Sequence, residues 1–163
     1  MDQRIIYLYD RFTHGEIDRR DFLDRLAKLA GSSAAALALL PMLQNNYAQA
    51  AIVAADDPRL TSERVSYESP KGRINGYLVR PKEKGRRPVV LVIHENRGLN
   101  PYIRDVTRRA AKAGYVAFGP DALYPLGGYP GNDDDGRALQ AQRTREDMFA
   151  DFVAAAEFLR GHE

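Results

Sequence analysis

Cysteine and tryptophan are absent from the 163 residues. Without cysteine there is no disulfide framework, no thiolate zinc centre and no cysteine nucleophile. Charge of one sign is missing too. Lys plus Arg number 24 against 22 Asp plus Glu, a net +2, so no long-range field gathers a polyanion and no nucleic-acid partner is expected. The longest weakly polar stretch, Leu29 to Leu43, is 15 residues long and is broken by Gly31, Ser32, Ser33 and Pro41. A membrane span needs ~20 apolar residues, so no stable anchor is expected. Serine is scarce and early: Ser32, Ser33, Ser62, Ser66 and Ser69 all precede Val89, and no Gly-x-Ser-x-Gly occurs. What remains is an ordinary globular composition, 44% hydrophobic, which excludes a disordered tail or a collagen-like repeat and fits one domain with an appendage.

The appendage is residues 1–50. Gln3 to Phe12 predicts a helix, His14-Gly15 a turn, and Asp18 an N-cap for a second helix whose Phe22, Leu26 and Leu29 fall on one face. The same segment has the order of an export signal: Arg19-Arg20, an Ala-rich apolar core, then Ala48-Gln49-Ala50. Two readings follow, a helical extension or a leader of the twin-arginine type. The second implies a periplasmic or exported protein, the first a cytoplasmic one. Residues 51–62 read as a linker, and 63–163 as a partial α/β domain.

In that domain, Arg64 to Tyr67 and Arg73 to Arg80 flank Ser69-Pro70-Lys71-Gly72, the pattern of a hairpin. Pro88 introduces Val89 to Ile93, an unbroken β-branched and apolar run that predicts a strand covered on both faces at the centre of a sheet. Asn100-Pro101 starts a helix with Ile103, Val106, Ala110 and Ala113 on one face, and Gly114 ends it. Tyr115 to Phe118 predicts a second strand, parallel to the first through a right-handed crossover. A final helix is expected from about Arg137 to Arg160, with Phe149, Phe152, Val153, Ala156 and Leu159 on its buried face. The expected class is α/β: the opening of an open sheet, a hairpin plus β-α-β and a last helix, behind a helical extension.

Sites in open α/β sheets gather at the carboxyl ends of parallel strands. After Ile93 come His94-Glu95-Asn96-Arg97-Gly98-Leu99, a turn whose side chains can hold a nucleophile and whose amides can stabilise an oxyanion. Together with Ala113-Gly114-Tyr115, Gly119-Pro120-Asp121 followed by Tyr124, and Gly127-Gly128-Tyr129-Pro130-Gly131-Asn132-Asp133, this turn resembles the dienelactone hydrolase family of α/β-hydrolases. The resemblance implies hydrolysis of lactones or other carboxylic esters by a Cys or Ser, Asp and His triad. It implies Glu95 as the group contacting the nucleophile, Asn96 as the donor of an oxyanion-hole backbone N–H, His94 in a supporting role and Tyr124 at the substrate. The nucleophile elbow, Asp and His of the family have no counterpart in this sequence.

Neither cofactor nor metal is expected. Asp133-Asp134-Asp135-Gly136 lacks the ligand spacing of a calcium loop and reads as acidic residues favoured by a helix N-terminus. Three functions remain open: an inactive portion of an ester hydrolase, half of a split hydrolase whose nucleophile comes from a second chain, or a non-catalytic binding or assembly module. The substrate, once the fold is completed, would be a small ester or lactone. The apolar run Val89 to Ile93 is the expected place for self-association or for a complementing chain.

Overall fold

A computed structural model describes residues 2–43 and 51–161. The chain divides into two units, Met1–Ala50 and Ala51–Glu163.

The first unit is helical. α1 (Gln3–Thr13), α2 (Arg19–Ala30) and α3 (Ser33–Leu43) pack around Ile5, Leu8, Phe12, Phe22, Leu26 and Ala36. Asp18 caps α2 as expected, its carboxylate accepting the Asp21 N–H at 2.8 Å. Phe12 stacks on Phe22 with ring centroids 4.6 Å apart, which fixes α1 against α2. Leu29 is only half-buried. No described helix is long and apolar enough to cross a membrane by itself, although the bent pair α2 and α3 together reaches the required length and hydropathy. Ala48-Gln49-Ala50 lies outside the described residues.

The second unit has three layers. β1 (Leu60–Ser69) and β2 (Gly72–Pro81) form the expected antiparallel hairpin, β3 (Val89–Leu91) follows, and β4 (Val116–Pro120) completes a sheet of order β1-β2-β4-β3. β4 runs antiparallel to β2 and parallel to β3, so the β-α-β crossover is present. α4 (Pro101–Lys112) covers one face and α6 (Arg145–Arg160) the other. Ile74, Leu78 and Phe118 meet Ala155 and Leu159 of α6, while Val79 and Ala117 meet Val53 and Ala111. Successive residues of β2 and β4 are thus buried on opposite faces, as a doubly covered sheet requires.

Four expectations change. β3 is less covered than its composition implied: one side has no neighbour among the described residues, which fits its expected role as the place for a complementing chain, but Val89 and Ile93 are 46% and 52% exposed and not covered on both faces. The last helix is two helices, α5 (Asp133–Gln140) and α6, because Asn132 and Thr144 each cap a new start. α6 buries Asp151, Ala155 and Leu159; Phe149 and Val153, assigned to the buried face, are 70% and 42% exposed. The stretch 51–62 is no plain linker, since β1 begins at Leu60 and the backbone of Val53 is bound on both sides. Its N–H donates to Asp105 at 2.9 Å and its carbonyl accepts from Arg108 at 2.7 Å.

Candidate functional site

The turn after β3 is held from four directions. His94 is 4% exposed. Its Nε2 accepts the Ala122 N–H at 3.1 Å, which makes Nδ1 the protonated nitrogen, donating to the Glu95 carbonyl at 3.0 Å. The ring thereby ties the end of β3 to the end of β4. From α5, Gln140 donates to the same Glu95 carbonyl at 2.6 Å and accepts the Gly98 N–H at 3.2 Å. Asp133, at the first turn of α5, accepts from Arg97 at 3.1 Å, Asn100 at 3.3 Å and Tyr129 at 3.1 Å. Asn100 caps α4 through the Ile103 N–H at 2.9 Å.

Two glycines make this packing possible. Gly98 has φ +78, and a Cβ there would lie 2.4 Å from a Leu123 methyl. Gly136 lets α5 approach so closely that a Cβ would lie 2.6 Å from the Arg97 carbonyl oxygen. A side chain at either position would displace the turn.

The result is a rigid turn with Glu95 and Asn96 exposed on it. No backbone hydrogen bond occupies the Asn96 N–H among the described residues. His94, by contrast, is committed to structure. Tyr124 lies elsewhere, on a 3-10 turn (Tyr124–Leu126), and lines a pocket with Asn75, Tyr77, Arg104 and Asp121 that neither Glu95 nor Asn96 enters. Sequence reasoning missed Gln140 and Asp133, since only the fold brings residues some 40 positions apart to one turn.

Burial pulls the His94 imidazole below its ordinary value, with the Glu95 carbonyl and the Asp121 charge acting the other way. Unfolding lets His94 take up a proton near pH ~6.5, so its contribution to stability is present above that pH and declines as pH falls below it. Asp121, lifted above the usual carboxylate range by burial, behaves oppositely and loses stability as pH rises through its folded value. Subtraction separates the two. Between pH 7 and about 5, the stability of wild type minus that of His94→Gln should fall. An unchanged difference in chemical denaturation would show that His94 is not held neutral.

A family model described as "Dienelactone hydrolase family" matches residues 74–162, and one described as "YqhI-like" matches residues 1–31. An Escherichia coli K12 protein described as "Putative hydrolase fragment YghX" is 57% identical over 110 residues, covering 66% of this chain and 94% of its own length. A "Putative carboxymethylenebutenolidase" of Synechocystis is 40% identical over 53% of this chain and 37% of its own. The crystal structure of a "Putative Dienelactone Hydrolase" from Klebsiella pneumoniae superposes with a TM-score of 0.53 at 24% identity, over 63% of this chain and 45% of that one. The chain thus spans less than half of that structure and of the Synechocystis relative, but nearly all of YghX. With the crossover and the turn after β3 in place, and the family model matched across both, the chain belongs to the dienelactone hydrolase family.

Proposed function

We propose that this chain supplies the oxyanion side of a carboxylic ester or lactone hydrolase and that the later strands of the family fold, seated along β3, carry the nucleophile, Asp and His. The observation that carries this reading is the turn His94 to Gly98: clamped by Gln140, His94 and Asp133, it presents Asn96, whose N–H has no backbone partner among the described residues, next to Glu95 at the carboxyl end of a strand whose outer edge is open. Such a turn has the parts that respond to a developing oxyanion and none that attack a carbonyl. The serines of the hairpin are engaged elsewhere: Ser66 and Ser69 are bonded to Asn75 and Asp151. The chain by itself should therefore hydrolyse p-nitrophenyl acetate no faster than a protein blank. Turnover that titrates with an active-site label and survives repurification would overturn the proposal.

In the same reading residues 1–50 direct export by the twin-arginine route. Arg19 and Arg20 are exposed at the start of α2, and α3 carries no charged residue. Replacing both arginines by lysine should keep the protein in the cytoplasm with its N-terminus intact, as read by fractionation and N-terminal sequencing. If the unaltered chain is itself wholly cytoplasmic and uncleaved, residues 1–50 are a permanent helical unit built on the Phe12–Phe22 core.

A further inference from the structure

α5 is a short helix with little hold on the core: of its eight residues, Asp133–Gln140, only Gly136 is buried. Its inner face rests on the turn after β3. Asp133, Gly136 and Gln140 follow one another at spacings of three and four, a single stripe of a helix, and all three meet that turn. Asp133 accepts from the Arg97 and Asn100 side chains. Gly136 approaches the Arg97 carbonyl so closely that only hydrogen fits in place of a Cβ. Gln140 bonds to Glu95 and to Gly98. Just beyond α5, Arg143 pairs with Asp151 of α6 at 2.6 Å, which ties the far end of the helix to the core.

Gln140 differs in kind from the other two. Its side-chain N–H donates to the Glu95 carbonyl at 2.6 Å, and its side-chain carbonyl accepts the Gly98 N–H at 3.2 Å. Glu95 and Gly98 are the ends of a four-residue turn, with Asn96 and Arg97 inside it. The orientation of the inner peptides is what distinguishes one turn type from another, and here one carboxamide grips both ends. Only a primary amide of this length brings a donor and an acceptor together: an ionised glutamate has no donor, and asparagine is one methylene shorter. Both bonds replace bonds to water, so they contribute little to global stability. What they fix is local.

We propose that Gln140 is the positioning residue of this site, its carboxamide setting the orientation of the Asn96 peptide from outside the sheet. Gln140 itself touches no reacting atom. A donor aimed at an oxyanion works only when its direction is fixed before the reaction, and α5 supplies that fixation from a segment some 40 positions away in sequence. The ordering of the turn belongs to this chain alone; its use in hydrolysis rests on the function proposed above.

Nuclear magnetic resonance on the full chain tests the ordering. In the wild type, a side-chain N–H proton of Gln140 should show a through-space contact to the Gly98 amide, a readout that requires no variant to fold. Gln140→Ala should speed exchange of the Gly98 amide at least about tenfold and lower the order parameter of the Asn96 amide, with the urea midpoint unchanged. Gln140→Glu should do the same. Gln142→Ala, whose native side chain donates to the Ala138 carbonyl of α5 at 3.2 Å, should leave both at wild-type values. In a complex with the later strands of a family member, Gln140→Ala should lower kcat about ten- to a hundredfold with KM within about twofold, a split that a general loss of stability does not produce. Wild-type exchange and order in Gln140→Ala, wild-type behaviour of Gln140→Glu, absence of the Gln140–Gly98 contact, or an unchanged kcat in an active complex would each overturn the proposal. A wild-type complex without hydrolysis would overturn the proposed function alone, and the amide measurements would then decide the role of Gln140.

Discussion

Replacing Asp151 by alanine should destabilise the second unit by about 3–5 kcal/mol. Asp151 is fully buried in α6, where one carboxylate oxygen accepts from Ser69 at 2.5 Å and the other from Arg143 at 2.6 Å. Its own backbone carbonyl accepts the Tyr67 hydroxyl at 3.1 Å. These contacts fasten α6 to β1 and to the segment between α5 and α6. Removing the carboxylate strands the Arg143 guanidinium, itself 8% exposed, without a counter-charge in a low-dielectric site. A whole domain has only about 5–15 kcal/mol to lose, so the variant should unfold at a fraction of the wild-type urea concentration. The double variant Asp151→Leu with Arg143→Met leaves no orphaned charge and should recover more than half of the loss. A loss under about 1 kcal/mol in Asp151→Ala would mean that the buried pair is not what holds α6.

Mixing the chain with a polypeptide that carries the later strands of a family member, with its nucleophile, Asp and His, should raise ester hydrolysis from blank level by at least about a thousandfold. Triad residues together account for roughly 10⁶ in such enzymes, and the oxyanion donors for a further 10²–10³. The contribution of this chain can be isolated inside that complex. Asn96→Ala retains the backbone N–H and should keep most of the rate. Asn96→Pro removes the N–H and should cost about 10²–10³. Circular dichroism of the two variants must match for the comparison to count. Equal rates in Asn96→Ala and Asn96→Pro would remove Asn96 from the oxyanion hole.

Much of the fold was legible because local signals agreed with the tertiary result. The hairpin turn at Ser69 to Gly72, the Asn100-Pro101 start of α4 and the Asp18 cap of α2 all stand where the sequence put them. The misreadings share a cause. Val89 to Ile93 has the composition of a strand covered on both faces, but Val89 and Ile93 are exposed at the open edge where β3 pairs on one side alone. α6 has two apolar stripes, and the one with the larger side chains, Phe149 and Val153, is the exposed one. The buried stripe passes through Asp151, a polar residue whose partners Ser69 and Arg143 come from other segments. At the candidate site, Glu95, Asn96 and His94 were singled out by their position after a strand, and their roles were what the family resemblance implies. The clamp that Gln140 and Asp133 place on the turn depends on contacts between distant segments, which no local pattern shows.

Amide hydrogen exchange along β3, with and without the complementing polypeptide, addresses the central claim most directly. In the parallel register, Val90 lies opposite Ala117 and the Val92 N–H donates to the Phe118 carbonyl at 2.7 Å. The N–H groups of Val90 and Val92 therefore face β4, and those of Leu91 and Ile93 face the open edge. In the chain alone, Val90 and Val92 should exchange slowly while Leu91 and Ile93 exchange fast. On addition of the complementing polypeptide, Leu91 and Ile93 should become protected to the level of Val90 and Val92. Slow exchange at all four positions in a monodisperse monomer, or no gain in protection at Leu91 and Ile93 on complementation, would contradict the assignment of β3 as the edge on which the later strands of the fold seat.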